Sequence, residues 1–144
     1  MYLISHRGNI DGIVKDEENK PEYIDKALEN GFEVEVDVRF NDNKFFLGHD
    51  LNQYEINKNF LMNKKIWCHA KTREALIALQ EIDAHYFWHQ EDDYTLTNKG
   101  FVWVYPGKPL IKNCIAVLPE KFKQDLSLCH GICTDNITKY LENI

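Results

Sequence analysis

The sequence has no long apolar run: none of its hydrophobic stretches approaches the ~20 residues of a membrane-spanning helix. It has no basic excess either, with 17 Lys and Arg against 23 Asp and Glu and a net charge of −6. An acidic chain is a poor match for a protein that grips nucleic acid through a broad basic surface, so no nucleic-acid partner is expected. A small anion held by one or two cations stays compatible with that balance. Seven glycines and four prolines are too few for a collagenous or low-complexity chain. A glycine-rich phosphate loop is missing, and Pro106-Gly107-Lys108-Pro109 reads only as a turn. Cysteine is limited to Cys68, Cys114, Cys129 and Cys133, irregularly spaced. The first residues, Met1-Tyr-Leu-Ile-Ser-His-Arg, lack a basic segment followed by an apolar one. The expectation is no secretion signal, a cytoplasmic location and reduced thiols. Cys129-His130-x-x-Cys133 groups three zinc-ligand types, but without a second pair at finger spacing it reads as a strand flanked by small residues.

What is present suits a globular chain. The 144 residues, 44% hydrophobic and 28% charged, fit a single domain over 1–144 with a core of its own. Short apolar strands alternate with helices or loops. Residues 2–5 predict a first strand ending at His6-Arg7-Gly8. Residues 20–30 predict a helix, with Asn19 as a possible cap and Gly31 as its stop. A hairpin follows over residues 32–39 and 44–48. Further strands are predicted near 65–69, 84–88, 101–104, 114–118 and 131–134. A helix capped by Thr72, a short helix near 120–127 and a terminal one over 138–143 complete the pattern. Alternating strand and helix implies parallel pairing by right-handed crossovers. Seven or eight parallel strands fit an open α/β sheet or a barrel. Eight units in 144 residues leave about 18 residues each, so a barrel would have lost several outer helices.

Two patterns carry chemistry. In residues 32–39, Phe32, Val34, Val36 and Val38 alternate with Glu33, Glu35, Asp37 and Arg39. Period two places the apolar residues on one face and the charges on the other. Glu35 and Asp37 then stand about 7 Å apart on one face, where they face either water or a shared divalent cation. The second pattern is the placement of histidines at predicted strand ends: His6-Arg7, His49-Asp50, His69-Ala70-Lys71 and His89. In parallel α/β folds that edge is where sites form. Carboxylates, fixed cations and imidazoles gathered there suit phosphoryl chemistry. The aromatic residues Trp67, Tyr86, Phe87, Trp88, Trp103 and Tyr105 serve either as core or as a wall for an apolar or sugar-like group.

Several ordered motifs resemble the N-terminal signature of the glycerophosphodiester phosphodiesterases: Ser5-His6-Arg7-Gly8, Glu18-Asn19-x-Pro21, Gly31-x-x-x-Glu35-Val-Asp37-Val38 and Gly48-His49-Asp50. The similarity is strong over residues 4–50 and continues weakly to Lys71. Gly131-Ile132-x-Thr134-Asp135 is similar to that family's closing strand, and Trp67 to Lys71 and Phe87 to Gln90 resemble blocks of its very short bacterial and viral members. The resemblance implies a small, trimmed TIM-type barrel of the phosphatidylinositol-specific phospholipase C kind. It implies His6 and His49 as general acid and base, and Glu35 and Asp37 as metal ligands. Arg7 and Lys71 would be cations at the phosphate. The family's third carboxylate position holds His69 here. As a ligand, an imidazole favours Mn or Zn over the Mg or Ca that the family implies; otherwise His69 binds the substrate or the metal site is weakened. His89 and Trp103 complete the candidate substrate contacts. The activity implied is metal-assisted cleavage of a small glycerophosphodiester-like or sugar-phosphate diester, by water or by a neighbouring hydroxyl that would leave a cyclic phosphate. A phosphoryl-binding module without turnover is the alternative.

Overall fold

A computed structural model describes residues 1–142. β1 (Tyr2–His6) leads through a long loop to α1 (Pro21–Glu29), then β2 (Glu33–Asn41), β3 (Lys44–Leu47) and β4 (Tyr54–Ile56). A single-turn α2 (Lys58–Leu61) precedes β5 (Ile66–Ala70), α3 (Arg73–Gln80), β6 (His85–Trp88), β7 (Tyr94–Leu96), β8 (Val102–Val104), β9 (Cys114–Val117), β10 (Gly131–Thr134) and α4 (Thr138–Leu141). Thr72 caps α3 as expected, its hydroxyl accepting from the Ala75 amide. Asn19 does not cap α1, where Lys20 holds the cap position without a side-chain bond. The helix expected near 120–127 is two 3-10 turns, Pro119–Lys121 and Leu126–Leu128. Of the terminal helix expected over 138–143, the last residue lies outside the described residues.

The trimmed TIM-type barrel is not what forms. The sheet is mixed and open, a curled half-barrel. Parallel ladders join β6, β5, β2, β1, β10, β9 and β8 in that order, but β3, β4 and β7 are antiparallel to their neighbours. Among the described residues no ladder joins β6 to β7 or β8, so the sheet has a free flank and no closed ring. The cause is chain length. A parallel crossover with a helix takes a dozen or more residues. The connection from β8 to β9 spans only residues 105–113 and carries no helix, and β9 reaches β10 through the two 3-10 turns. With α1 and α3 as the only helices longer than a single turn among the described residues, an outer helical ring cannot form. Among the described residues no helix is long and apolar enough to cross a membrane.

Side chains stitch the open flank instead. Asn98 accepts from the Tyr86 amide at 2.8 Å and donates to the Ala84 carbonyl at 2.9 Å, while its own amide reaches the Tyr86 carbonyl. Thr95 donates to the Trp88 carbonyl, and His85 pairs with Thr97. Burial pushes the His85 imidazole down to about 4, so it is neutral in this setting.

Two apolar layers follow from the period-two strands. Val34, Val36 and Val38 of β2 and Cys68 of β5 pack outward against Ile24 and Ala27 of α1 and Leu79 of α3. On the concave side Ile4, Trp67, Phe87, Trp103 and Ile115 fill the floor, with Phe87 and Trp103 rings 4.5 Å apart. Glu35, Asp37 and His69 share this concave face but sit farther along it. The alternation seen in residues 32–39 thus sorts one strand between an oily outside and a polar inside.

Replacing Asn98 by Ala removes both side-chain bonds across the flank. Urea unfolding should show a loss of about 1–2 kcal/mol, at roughly 1 kcal/mol per bond. Asn98→Asp keeps the acceptor but sets a carboxylate oxygen against the Ala84 carbonyl, so it should lose at least as much.

Candidate functional site

β2 is the spine of the site. β1 pairs with Glu33–Glu35, setting His6 opposite Glu35, and β5 pairs along the other edge, setting His69 opposite Asp37. Val38 is paired both to Ala70 of β5 and to Leu47 of β3, so β3 takes over the edge that β1 leaves. The hairpin therefore folds back above the end of β1. The Glu35 carbonyl accepts from the Arg7 amide, and the Asp37 carbonyl from the Gly48 amide. That second bond carries His49 to the same rim. Gly48 cannot be replaced there, because a Cβ would lie 1.9 Å from the Leu51 carbonyl oxygen. Arg39 grips the His49 loop through the His49 carbonyl and the Asn52 side chain.

A cavity of about 640 Å³ opens at this rim. His6, Arg7, Glu35, His49, His69, Lys71, His89 and Trp103 all border it. Asp37 lies just beneath, fully buried. The sequence candidates are thus brought together, with Lys121, Tyr105 and Leu118 as further neighbours on the opposite wall.

The floor carries two buried carboxylates. Glu35 Oε2 and Asp37 Oδ1 have no hydrogen-bond partner. His69 Nδ1 stands 3.5 Å from Glu35 Oε1 and 3.6 Å from Asp37 Oδ1. Its Nε2 lies 2.7 Å from the His89 carbonyl. A carbonyl only accepts, so Nε2 carries a hydrogen and donates it, and Nδ1 is the ring atom turned toward the carboxylates. One donor atom from each of the three residues falls within 4.8 Å of the others. Phe87 stacks on the imidazole and fixes its plane.

The other oxygen of Asp37 is tied down. Arg7 Nε approaches Oδ2 to 2.8 Å, as an ion pair whose N–H is not aligned on the oxygen. Asn19 Nδ2 donates to the same Oδ2 at 2.9 Å, and Asn19 Oδ1 accepts the Asp37 amide. Burial works to raise the Asp37 pKa, but Arg7, His69 and Asn19 together hold it below the ordinary carboxylate value. Both anchors sit in the left-handed region, Arg7 at φ 58° and Asn19 at φ 65°. Asn tolerates that conformation, whereas Arg is held there by its surroundings.

His6 is oriented from behind. Its Nδ1 lies 2.7 Å from Asp135 Oδ1, and its Nε2 lies 3.8 Å from Glu35 Oε2. Burial lowers the His6 pKa, but the Asp135 bond and the Glu35 charge outweigh it and leave the pKa raised. Asn9 donates to both Asp135 and Glu18, and Glu18 reaches Arg7 at 3.7 Å. His49 is more exposed, with Nδ1 2.8 Å from Asp50 Oδ1. Sequence reasoning missed Asp135, Asn9 and Asn19 as site residues. The signal for Asp135 was its place directly after the strand that pairs with β1. The Cys129, His130 and Cys133 trio does not converge: Cys133 faces the concave core and Cys129 lies beside Cys114.

No protein-family model, curated protein or solved structure matches the chain. The functional reading therefore rests on these residues and their geometry.

Asn19→Gly keeps the left-handed backbone without strain and removes only the side chain. Because a buried charge and a buried amide both lose their partner, chemical denaturation should show a loss of about 2–3 kcal/mol.

Proposed function

We propose that the chain is a metal-assisted phosphodiesterase acting on a small glycerophosphodiester-like or sugar-phosphate diester. The observation that carries this reading is the convergence of Glu35, Asp37 and His69 beneath a cavity whose wall also holds His6, His49, Arg7 and Lys71. The donor set fits a divalent cation. Two buried carboxylate oxygens, Glu35 Oε2 and Asp37 Oδ1, have no hydrogen-bond partner, and His69 Nδ1 stands 3.5 Å from Glu35 Oε1 and 3.6 Å from Asp37 Oδ1. Two oxygens and one nitrogen suit Mn or Zn at least as well as Mg or Ca. Bound by these three residues, the ion would supply Lewis-acid polarisation of a phosphoryl oxygen.

The remaining work falls to the chain's own side chains. Lys71 and the outer edge of Arg7 hold the phosphate oxygens and neutralise charge gained in the transition state. His49, oriented through Nδ1 by Asp50, takes the proton of the attacking hydroxyl at Nε2. His6, whose raised pKa favours the protonated ring, gives its Nε2 proton to the departing alkoxide. A new P–O bond forms as the opposite P–O bond breaks. If the attacking hydroxyl belongs to the substrate, the product is a cyclic phosphate. Binding without turnover is the second reading, favoured by an imidazole where related sites would use a third carboxylate.

Bis-p-nitrophenyl phosphate turnover in a divalent-metal screen tests the proposal. His6→Ala and His49→Ala should each lower kcat by about 10²–10⁴-fold while leaving the fold intact. Near-wild-type turnover in either would place proton transfer elsewhere. Phosphate binding with no turnover under any metal would select the binding module.

A second variant addresses the metal. His69→Glu completes a three-carboxylate set, so activation should shift toward Mg2+ or Ca2+. An unchanged metal profile in the folded variant would remove His69 from the ligands.

A further inference from the structure

Trp103, Val117 and Leu118 form an apolar patch in the cavity wall, beside Tyr105 and Lys121, and its corner is strained. β9 ends at Val117, and the next residue, Leu118, adopts φ 48° and ψ 49°, a left-handed conformation that bulky side chains rarely take. The corner is held on all sides. The Leu118 amide donates to the Cys133 carbonyl at 2.7 Å, the Lys121 amide returns to the Leu118 carbonyl, and Pro119 follows directly. Behind it, Glu120 accepts the Asp135 amide and so locks the corner to the residue that orients His6. A glycine would occupy this position without strain. Leucine persists although its backbone is disfavoured.

Its side chain has two neighbourhoods. Leu118 belongs to the concave apolar cluster with Trp103 and Val117, and all three border the cavity. Trp103 is only 4% exposed and Leu118 9%, so the indole is covered and little of either side chain is open to the cavity. Backbone strain kept at a cavity wall points to a role for the side chain that holds it there.

We propose that Leu118 is a specificity-determining residue: it caps the apolar recess over Trp103 and restricts the group lodged there to a compact alcohol of a few carbons. This rests on the phosphodiesterase reading, since Leu118 and Trp103 border the same cavity as Glu35, His6, His49 and His69. A planar or bulky esterifying group would have to displace the leucine. Removing the side chain uncovers the indole face and admits such groups, and a pocket contact of this size changes selectivity by about 10-fold or more.

The test compares methyl p-nitrophenyl phosphate with phenyl p-nitrophenyl phosphate. Wild type, Leu118→Gly and Leu118→Asn are assayed with the most active metal. Both substituents tolerate a left-handed backbone, so the variants keep the corner, and thermal melts confirm folding. The phenyl-to-methyl ratio of kcat/KM should rise at least 10-fold in both variants, through KM. An unchanged ratio in folded variants would make Leu118 a core filler and overturn the inference while leaving phosphodiesterase activity standing. Should no variant turn over either ester, the phosphodiesterase reading fails. Calorimetric binding of phenylphosphonate and methylphosphonate then decides: a ratio shifted at least 10-fold by Leu118→Gly retains the selective recess, and an unshifted ratio removes it.

Discussion

Two carboxylates taken out of water side by side are the constraint on which this structure turns. Glu35 and Asp37 are essentially inaccessible, on the concave face of one strand. Isolated buried charges of like sign are strongly unfavourable unless paired or hydrogen-bonded. The surroundings are arranged accordingly. Arg7 is bent into a left-handed turn to reach Asp37, and Asn19 is bent likewise to hold both its side chain and its amide. The loop from β1 to α1 is long because it must place both anchors. Yet one oxygen on each carboxylate stays without a hydrogen-bond partner: Asp37 Oδ1, 3.6 Å from His69 Nδ1, and Glu35 Oε2, 3.8 Å from His6 Nε2. The compensation within the chain is incomplete where the two carboxylates meet His6 and His69.

The open sheet is a consequence of economy in chain length. Strands β1, β2 and β5 are backed by α1 and α3, and here the ladder is continuous and the outer core fully covered. On its far edge β6 has no ladder among the described residues, and its polar groups there are met by Asn98, Thr95 and Thr97. Such a flank carries lower local stability than a central ladder. Glu35, Asp37, His6 and His69 lie on the well-supported side, whereas His89 and Tyr105 come from the less supported one.

The legible part of the site was the part written at short range. Period two in β2 placed Glu35 and Asp37 together, and strand ends announced His6, His49, His69 and Lys71. The pairing of β5 directly beside β2 then brought His69 to them. What could not be read was set by contacts between distant segments. Asp135 meets His6 only because β10 lies beside β1. Asn19 has the composition of a helix cap and sits in the right place for one, but the buried Asp37 competes for its side chain and wins. The barrel expectation failed for a related reason. Strand count is visible in the sequence, but closure depends on whether the first and last strands of the row meet, and short β7 intervenes.

His69 joins two systems that would otherwise be separate. One ring nitrogen faces the buried carboxylates, and the other holds the carbonyl of His89, the first residue beyond β6. That bond exists only while Nε2 keeps its hydrogen. The orientation of the donor in the polar floor and the closure of the sheet's loose margin are therefore one equilibrium seen from two ends. A fluctuation that peels residue 89 away frees the imidazole to rotate, and whatever fixes the imidazole damps that fluctuation. Breathing of the unladdered edge and the readiness of the polar floor are in this way coupled through a single side chain.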